Sequence, residues 1–370
     1  MRKFRTIAAP LLALALVASA CGGDDDDSAS EDSAAEEPAD EPAEEAAEEP
    51  ADEADEEAAE EPADEPAEEA AEEPADEVDA TQGGDLTFHM VTHSDDGPFW
   101  SVVKRGMDAA CEDVGVSCVW AGSNNDPGVQ VSLIETAIAE GADGIASALA
   151  SPDQLIGPLQ DAVAAGIPVV TLNSGLNDWQ DIGALTHVGQ DEIIAGREAG
   201  NRFNEAGATK VLCGRQEESN VALEERCNGV AETFNGEVVS EFVGLDADQT
   251  EQTNSIAAVL AADPDIDAFM GAGPVIAMSG LSAAQDSGRD LVIGGFDMTP
   301  ELLGAIDAGD IAFTVDQQQY LQGYLPIILL YLNVTNANQA GGGQPVLSGP
   351  GFVDGSNAAQ VSELVDAGTR

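Results

Sequence analysis

The chain reads as an α/β protein whose folded part comprises two doubly wound lobes. From Leu86 onward, short apolar runs alternate with amphipathic stretches, and the alternation restarts near Gln190. Strand and helix repeating in this order build parallel sheets covered on both faces. The folded stretch is 285 residues long, more than one core comfortably serves, so two units are expected.

Ahead of the lobes lie two segments of different character. Residues 1–20 have a basic start (Arg2, Lys3, Arg5), an apolar stretch from Ile7 to Val17 and small residues before Cys21. That is an export leader, too short to span a membrane. The run Leu16-Val17-Ala18-Ser19-Ala20-Cys21 resembles a bacterial lipobox, which implies cleavage before Cys21 and a lipid on its sulfur. From Gly22 to Asp85 there is no Lys or Arg, and EEPADEPAEEAAEEPADE occurs at residues 36–53 and again at 60–77. With no large apolar position, the repeat cannot offset its ordering entropy. Residues 21–85 are therefore expected to be a disordered acidic tether, reaching roughly 200 Å if fully extended.

In the first lobe the strand-like runs are LTFHMVTH, VSCVWA, DGIASAL and IPVVTLN, separated by helical stretches over 98–115, 127–141 and up to Gly166. In the second they are TKVLCG, EVVSEFVG, DAFMG, LVIGGFD and IAFTVDQ, again with helices between. The apolar run QGYLPIILLYLNV (322–334) is too short to cross a membrane and contains Pro326, so a buried helix is expected.

The chain carries 71 acidic and 12 basic residues, a formal net charge of −59. Residues 86–370 alone hold 40 acids and 9 bases. So acidic a domain argues against binding nucleic acid or an anionic membrane surface, and a surface adapted to high salt accounts for most of these carboxylates. Cys111 with Cys118 and Cys213 with Cys227 form two local pairs, plausible disulfides in an exported protein and not redox or zinc spacings.

His89 and His93 lie four strand positions apart, about 13 Å, too far to share one metal ion. No G-x-S-x-G elbow and no phosphate-binding glycine loop follows a strand, so neither hydrolase chemistry nor a metal or other cofactor is expected. In open parallel sheets, ligands bind beyond the carboxyl ends of the strands. The residues there are Asp95, Asp96, Phe99 and Trp100 after the first strand, Asn173 and Ser174 after IPVVTL, Asp297 after VIGGF, and Asp316 with Gln317 after IAFTV. Carboxylates and carboxamides suit vicinal hydroxyls, and an aromatic face covers the C–H face of a pyranose. Arg226 is the candidate cation of the cleft.

This ordering, with GFDMTPELLGAIDAGDIAFTVDQQQYLQGY near the end, resembles the type I periplasmic binding proteins of sugar importers, the ribose-binding group especially. The resemblance implies two Rossmann-like lobes joined by three crossovers at a hinge, with the ligand cleft between them. It divides the folded region into an N-lobe of about 86–189 and 318–343 and a C-lobe of about 190–317 and 344–370. Gly97-Pro98-Phe99-Trp100 matches the family's aromatic sandwich motif, and Asn173-Ser174, Arg226, Asp297 and Gln317 match its polar positions. The ligand-binding set is thus Asp96, Phe99, Trp100, Asn173, Arg226, Asp297 and Gln317. Gly273-Pro274 stands where ribose binders carry an asparagine-aspartate pair, and Asn173-Ser174 stands for an aspartate-arginine pair. The pocket is therefore not expected to be a ribose pocket.

The implied function is a monomeric lipoprotein, anchored outside the cytoplasm, that captures a sugar or polyol and hands it to an ABC permease. Alternatives are a ligand-sensing receptor for a signalling system and a nucleoside or cyclitol binder.

Overall fold

A computed structural model describes residues 84–246 and 248–370. The export leader, Cys21 and the acidic tether up to residue 83 lie outside these residues.

The first lobe runs β1 (Thr87–Thr92), α1 (Gly97–Val114), β2 (Ser117–Gly122), α2 (Pro127–Glu140), β3 (Gly144–Ala148), α3 (Pro152–Ala164), β4 (Val169–Leu172), the short α4 (Trp179–Ile182) and β5 (His187–Gln190). The second continues with α5 (Glu192–Glu205), β6 (Lys210–Arg215), α6 (Val221–Thr233), β7 (Glu237–Phe242), α7 (Gln249–Ala262), β8 (Ala268–Gly271), α8 (Pro274–Ser287), β9 (Val292–Phe296), α9 (Pro300–Ala308) and β10 (Phe313–Asp316). The chain returns to the first lobe in α10 (Gln319–Asn336) and β11 (Val346–Gly349), then ends in the second with β12 (Gly351–Asp354) and α11 (Ala358–Asp366).

The strand orders are β11-β5-β4-β3-β1-β2 and β12-β10-β9-β8-β6-β7, so the lobes repeat one doubly wound plan. Two details differ from the sequence-based expectation. Val346–Gly349 pairs in parallel with β5, which places the third crossover at residues 349–351 and not near 344. The second sheet is not wholly parallel, because β12 pairs antiparallel with β10.

Local sequence explains the elements. Pro98 opens α1 and Gly115, in the left-handed conformation, closes it; Trp100, Val103, Met107 and Ala110 form its buried stripe. Central strands such as β1 and β3 are buried along nearly their whole length, whereas edge strand β2 is half exposed. Each lobe holds two apolar clusters, one on each sheet face.

On one face of each sheet two helices cross at glycines. Gly106 of α1 faces the Tyr320 carbonyl of α10, and Gly323 of α10 faces the Val103 carbonyl; a Cβ at either would strike backbone. In the second lobe Gly196 of α5 faces the Arg226 carbonyl of α6, and Gly229 of α6 faces the Ile193 carbonyl. Both cysteine pairs form disulfides: Cys111–Cys118 ties the end of α1 to β2, and Cys213–Cys227 ties β6 to α6. Among the described residues no helix is long and apolar enough to cross a membrane. The run at 322–334 lies within α10, packed on α1 and the first sheet.

Candidate functional site

The carboxyl ends of both sheets face one another across a cavity of about 290 Å³. From the first lobe come His93, Ser94 and Asp96 after β1, Phe99 and Trp100 at the start of α1, Asn124 and Asn125 after β2, and Asn173 after β4. The second lobe supplies Gln216, Glu217 and Asn220 after β6, Leu223 and Arg226 of α6, Leu245 and Asp246 after β7, Pro274 opening α8, and Asp297 after β9. Gln317, on the second crossover, lies between them.

All seven ligand-binding candidates from the sequence therefore line one cavity. Ser174 and Asp316, also at strand ends, are not among the lining residues: Ser174 Oγ lies 2.9 Å from Asn173 Oδ1 and 3.2 Å from Asn220 Oδ1, bracing two residues that are, and Asp316 accepts from the Gln318 amide and from Arg370. Sequence reasoning missed Gln216, Glu217, Asn220, Asn125 and Asp246. The strand-end rule reaches them when it is also applied to AGSNND after β2, GRQEESN after β6 and GLD after β7.

Phe99 and Trp100 divide their roles. Trp100 is buried and joins the core beneath α1, while Phe99 is half-buried. Their rings meet edge to face at 4.9 Å, and the His93 ring meets Trp100 the same way at 4.9 Å. The pair gives the cavity an apolar wall of fixed orientation.

A chain of amides crosses the cavity floor. Asn173 Nδ2 donates to Gln317 Oε1 at 3.4 Å, and Gln317 Nε2 donates to Asp297 Oδ1 at 2.8 Å, joining the two lobes through the hinge. Asn173 and Asp297 both have φ above +60°. Asn and Asp tolerate this left-handed conformation better than other residues with side chains, and it turns each group out of its strand toward the cleft. Burial pushes the Asp297 carboxyl up to about 7, against the pull of Arg226 and the Gln317 hydrogen bond.

Arg226 has a different setting from the one expected. Its Nε and Nη2 grip Glu192 at 2.7 and 3.0 Å, its Nη1 donates to the Ala272 carbonyl at 2.6 Å, and its guanidinium lies 4.4 Å from the Phe296 ring centre. Most of its donors are thus engaged within the protein, and its charge is matched by Glu192, itself buried at the first turn of α5. The remaining ionisable groups at the cavity are mainly acids. Burial pushes Asp246 up to about 6, helped by Glu217 and Asp96. For Glu217 burial works in the same direction, yet the His93 ring and hydrogen bonds from His93 and Asn220 outweigh it and hold the carboxyl below its usual range.

The lobes also meet along the rim. His93 Nε2 lies 3.4 Å from Glu217 Oε2, the Val221 amide donates to the Ala150 carbonyl at 3.1 Å, and Asn177 Nδ2 donates to Glu225 Oε1 at 2.7 Å. His89 instead faces Glu140, so the histidine within β1 and the one just after it have different partners.

A family model described as a periplasmic binding protein domain matches residues 88–338. The chain belongs to the periplasmic binding protein family. Membership brings with it a two-lobed binding role and an extracytoplasmic place of action, and the family is one of binding proteins, not enzymes. The periplasmic binding protein described here superposes on a carbohydrate transporter from Acidothermus cellulolyticus 11B, solved in complex with myo-inositol, with a TM-score of 0.75 and 39% identity. That match covers 77% of this chain and 99% of the other. A xylose/arabinose-binding protein of Sulfolobus acidocaldarius is 27% identical over 260 residues, 65% of this chain and 64% of that relative, so the match spans just under two thirds of its length. The ribose import binding protein of Haemophilus influenzae is 24% identical, with 68% of this chain and 86% of that protein covered.

Proposed function

We propose that this protein captures a sugar or cyclitol outside the cytoplasm and delivers it to an ABC permease, without chemistry of its own. The observation that carries the reading is the composition of the cleft: an aromatic wall from Phe99 and Trp100 opposite hydrogen-bonding groups of both lobes, linked by the Asn173–Gln317–Asp297 chain. Its volume, about 290 Å³, sits at the small end for ligand sites and favours a single ring over an oligosaccharide. The myo-inositol complex of the Acidothermus relative makes a cyclitol the first ligand to try.

Closure is the working step. Ligand contacts from both lobes favour the closed arrangement by their differential affinity, and the permease reads that arrangement. Phe99 and Trp100 supply stacking, Asp297 and Asn173 bind hydroxyls, and Arg226, held by Glu192, lines the cavity from α6. Cys21 would carry a lipid after removal of residues 1–20, and residues 21–85 would hold a monomeric binding domain away from the membrane.

The test is a thermal-shift and calorimetric screen of the protein against myo-inositol, D-xylose, D-ribose, D-glucose and nucleosides. A ligand at 100 times its Kd stabilises the fold by about 2.7 kcal/mol. One clear rise among the sugars or cyclitols supports the reading. A response to nucleosides alone, or to nothing in the panel, overturns it.

A further inference from the structure

We infer that Gln216, seated against Gly273, is a specificity-determining residue of the cleft and presents its amide to a hydroxyl of the ligand. The inference rests on the polyol-binding reading above and extends it to a position outside the sequence-derived set.

Gln216 directly follows β6, its side chain is more than nine-tenths buried, and it lines the cavity. Its Oε1 is buried yet has no hydrogen-bonding partner within the protein. A buried carbonyl left unpaired costs stability, so a ligand hydroxyl that paired with it would recover that cost on binding. His93, across the cavity, has the same property: its ring is buried and its Nδ1 is unpartnered. Gln216 and His93, which carry these unpartnered atoms, line the cavity from opposite lobes.

What leaves room for the Gln216 side chain is a glycine 57 positions later in the chain. A Cβ on Gly273 would lie 2.6 Å from Gln216 Nε2 and 3.3 Å from its Cδ. Gly273 has φ −159° and ψ 173°, extended backbone open to any residue. Its conformation therefore does not call for glycine; the neighbouring amide does. The next residue, Pro274, also lines the cavity and has neither a side-chain polar group nor an N–H. Taken from sequence alone, Gly273-Pro274 is a loss of hydrogen-bonding capacity at this corner. In the fold, the Gln216 amide, one residue past β6, occupies the space a side chain at 273 would take, and its acceptor is unpartnered. Such a group favours a ligand with a hydroxyl at that point over one with a deoxy or alkylated position, because the second leaves it unpaired.

The experiment is a double-mutant cycle on the full protein with Gln216→Leu, Gly273→Ala and both together, measuring unliganded melting temperature and affinity for the tightest binder among myo-inositol, D-xylose, D-ribose and D-glucose. Leucine removes the unpaired carbonyl, so Gln216→Leu is expected to keep or raise the melting temperature while lowering affinity at least tenfold. Gly273→Ala pushes aside only the end of a flexible side chain, so it is expected to fold normally and lose affinity in the same direction. The double variant is expected to be no worse than Gln216→Leu, since both act on one group. Unchanged affinity in Gln216→Leu, an affinity loss that only tracks a loss of stability, or fully additive losses would each overturn the assignment. Failure of the wild-type protein to bind any of the four polyols overturns the reading beneath it, a distinguishable result.

Discussion

Replacing Asp297 with asparagine separates what the cleft needs from what the fold tolerates. The side chain is buried, accepts from Gln317 Nε2 at 2.8 Å and sits at φ 64°, a conformation asparagine adopts readily. The amide oxygen of the introduced side chain would accept the same hydrogen bond, so the substitution removes a charge and little else. Burial raises the carboxyl from 3.8 to about 7, which penalises its ionisation by about 4 kcal/mol. Between pH 4 and 7 the unfolded chain has lost this proton while the folded chain keeps it, so rising pH favours unfolding of the wild-type protein. The group's contribution is fully present below pH 4 and is lost as pH climbs toward 7. Asp246, pushed up to about 6, acts in the same sense but is common to both proteins and cancels in the comparison. Urea unfolding without ligand at pH 4, 5, 6, 7 and 8 should therefore show Asp297→Asn near wild type at pH 4 and more stable by up to about 4 kcal/mol at pH 7 and above. Affinity for the polyol should fall at the same time, because a carboxylate accepts stronger hydrogen bonds than an amide. A stability difference that is flat with pH, or that favours wild type at pH 8, would refute the reasoning.

Arg226→Ala should destabilise the protein by about 3–5 kcal/mol in denaturant unfolding, because it leaves Glu192 buried and unpaired; pairing it with Glu192→Met should recover most of that loss. Breaking Cys213–Cys227 as a double alanine variant should cost about 3 kcal/mol, the value for a loop of its 14-residue span, and breaking Cys111–Cys118, with a span of 7, should cost less; urea midpoints decide. Calorimetry should find D-glucuronate bound at least tenfold more weakly than D-glucose at neutral pH, since Asp96, Glu217 and Asp246 face the cavity and the charge of Arg226 is taken by Glu192.

Much of this architecture was legible from residue order. The alternation of apolar and amphipathic stretches fixes the doubly wound lobes, and the rule that ligands bind past strand ends selects Asp96, Asn173 and Asp297, because those positions are local in sequence. The partnerships were not legible. Glu192 meets Arg226 and Gln216 meets Gly273 only through the packing of separate elements, and neither spacing leaves a local pattern. The third crossover escaped for another reason: the glycine run Gly341–Gly343 is stronger punctuation than the true passage at Gly349-Pro350-Gly351, which lies inside an otherwise strand-like stretch.

The glycine crossings on the helical faces have a mechanical consequence. In the first lobe they join the opening turns of α10, just past the crossover at Gln317, to α1 one turn beyond Phe99 and Trp100. In the second they join the opening turns of α5, just past the crossover at Gln190, to α6 at Arg226 itself. Backbone rests on backbone at each contact, so no side chain can change rotamer to absorb a displacement. Each lobe thus carries its crossover and its cavity-lining helix on one stiff frame, so a displacement at the cavity would be passed whole to the crossover.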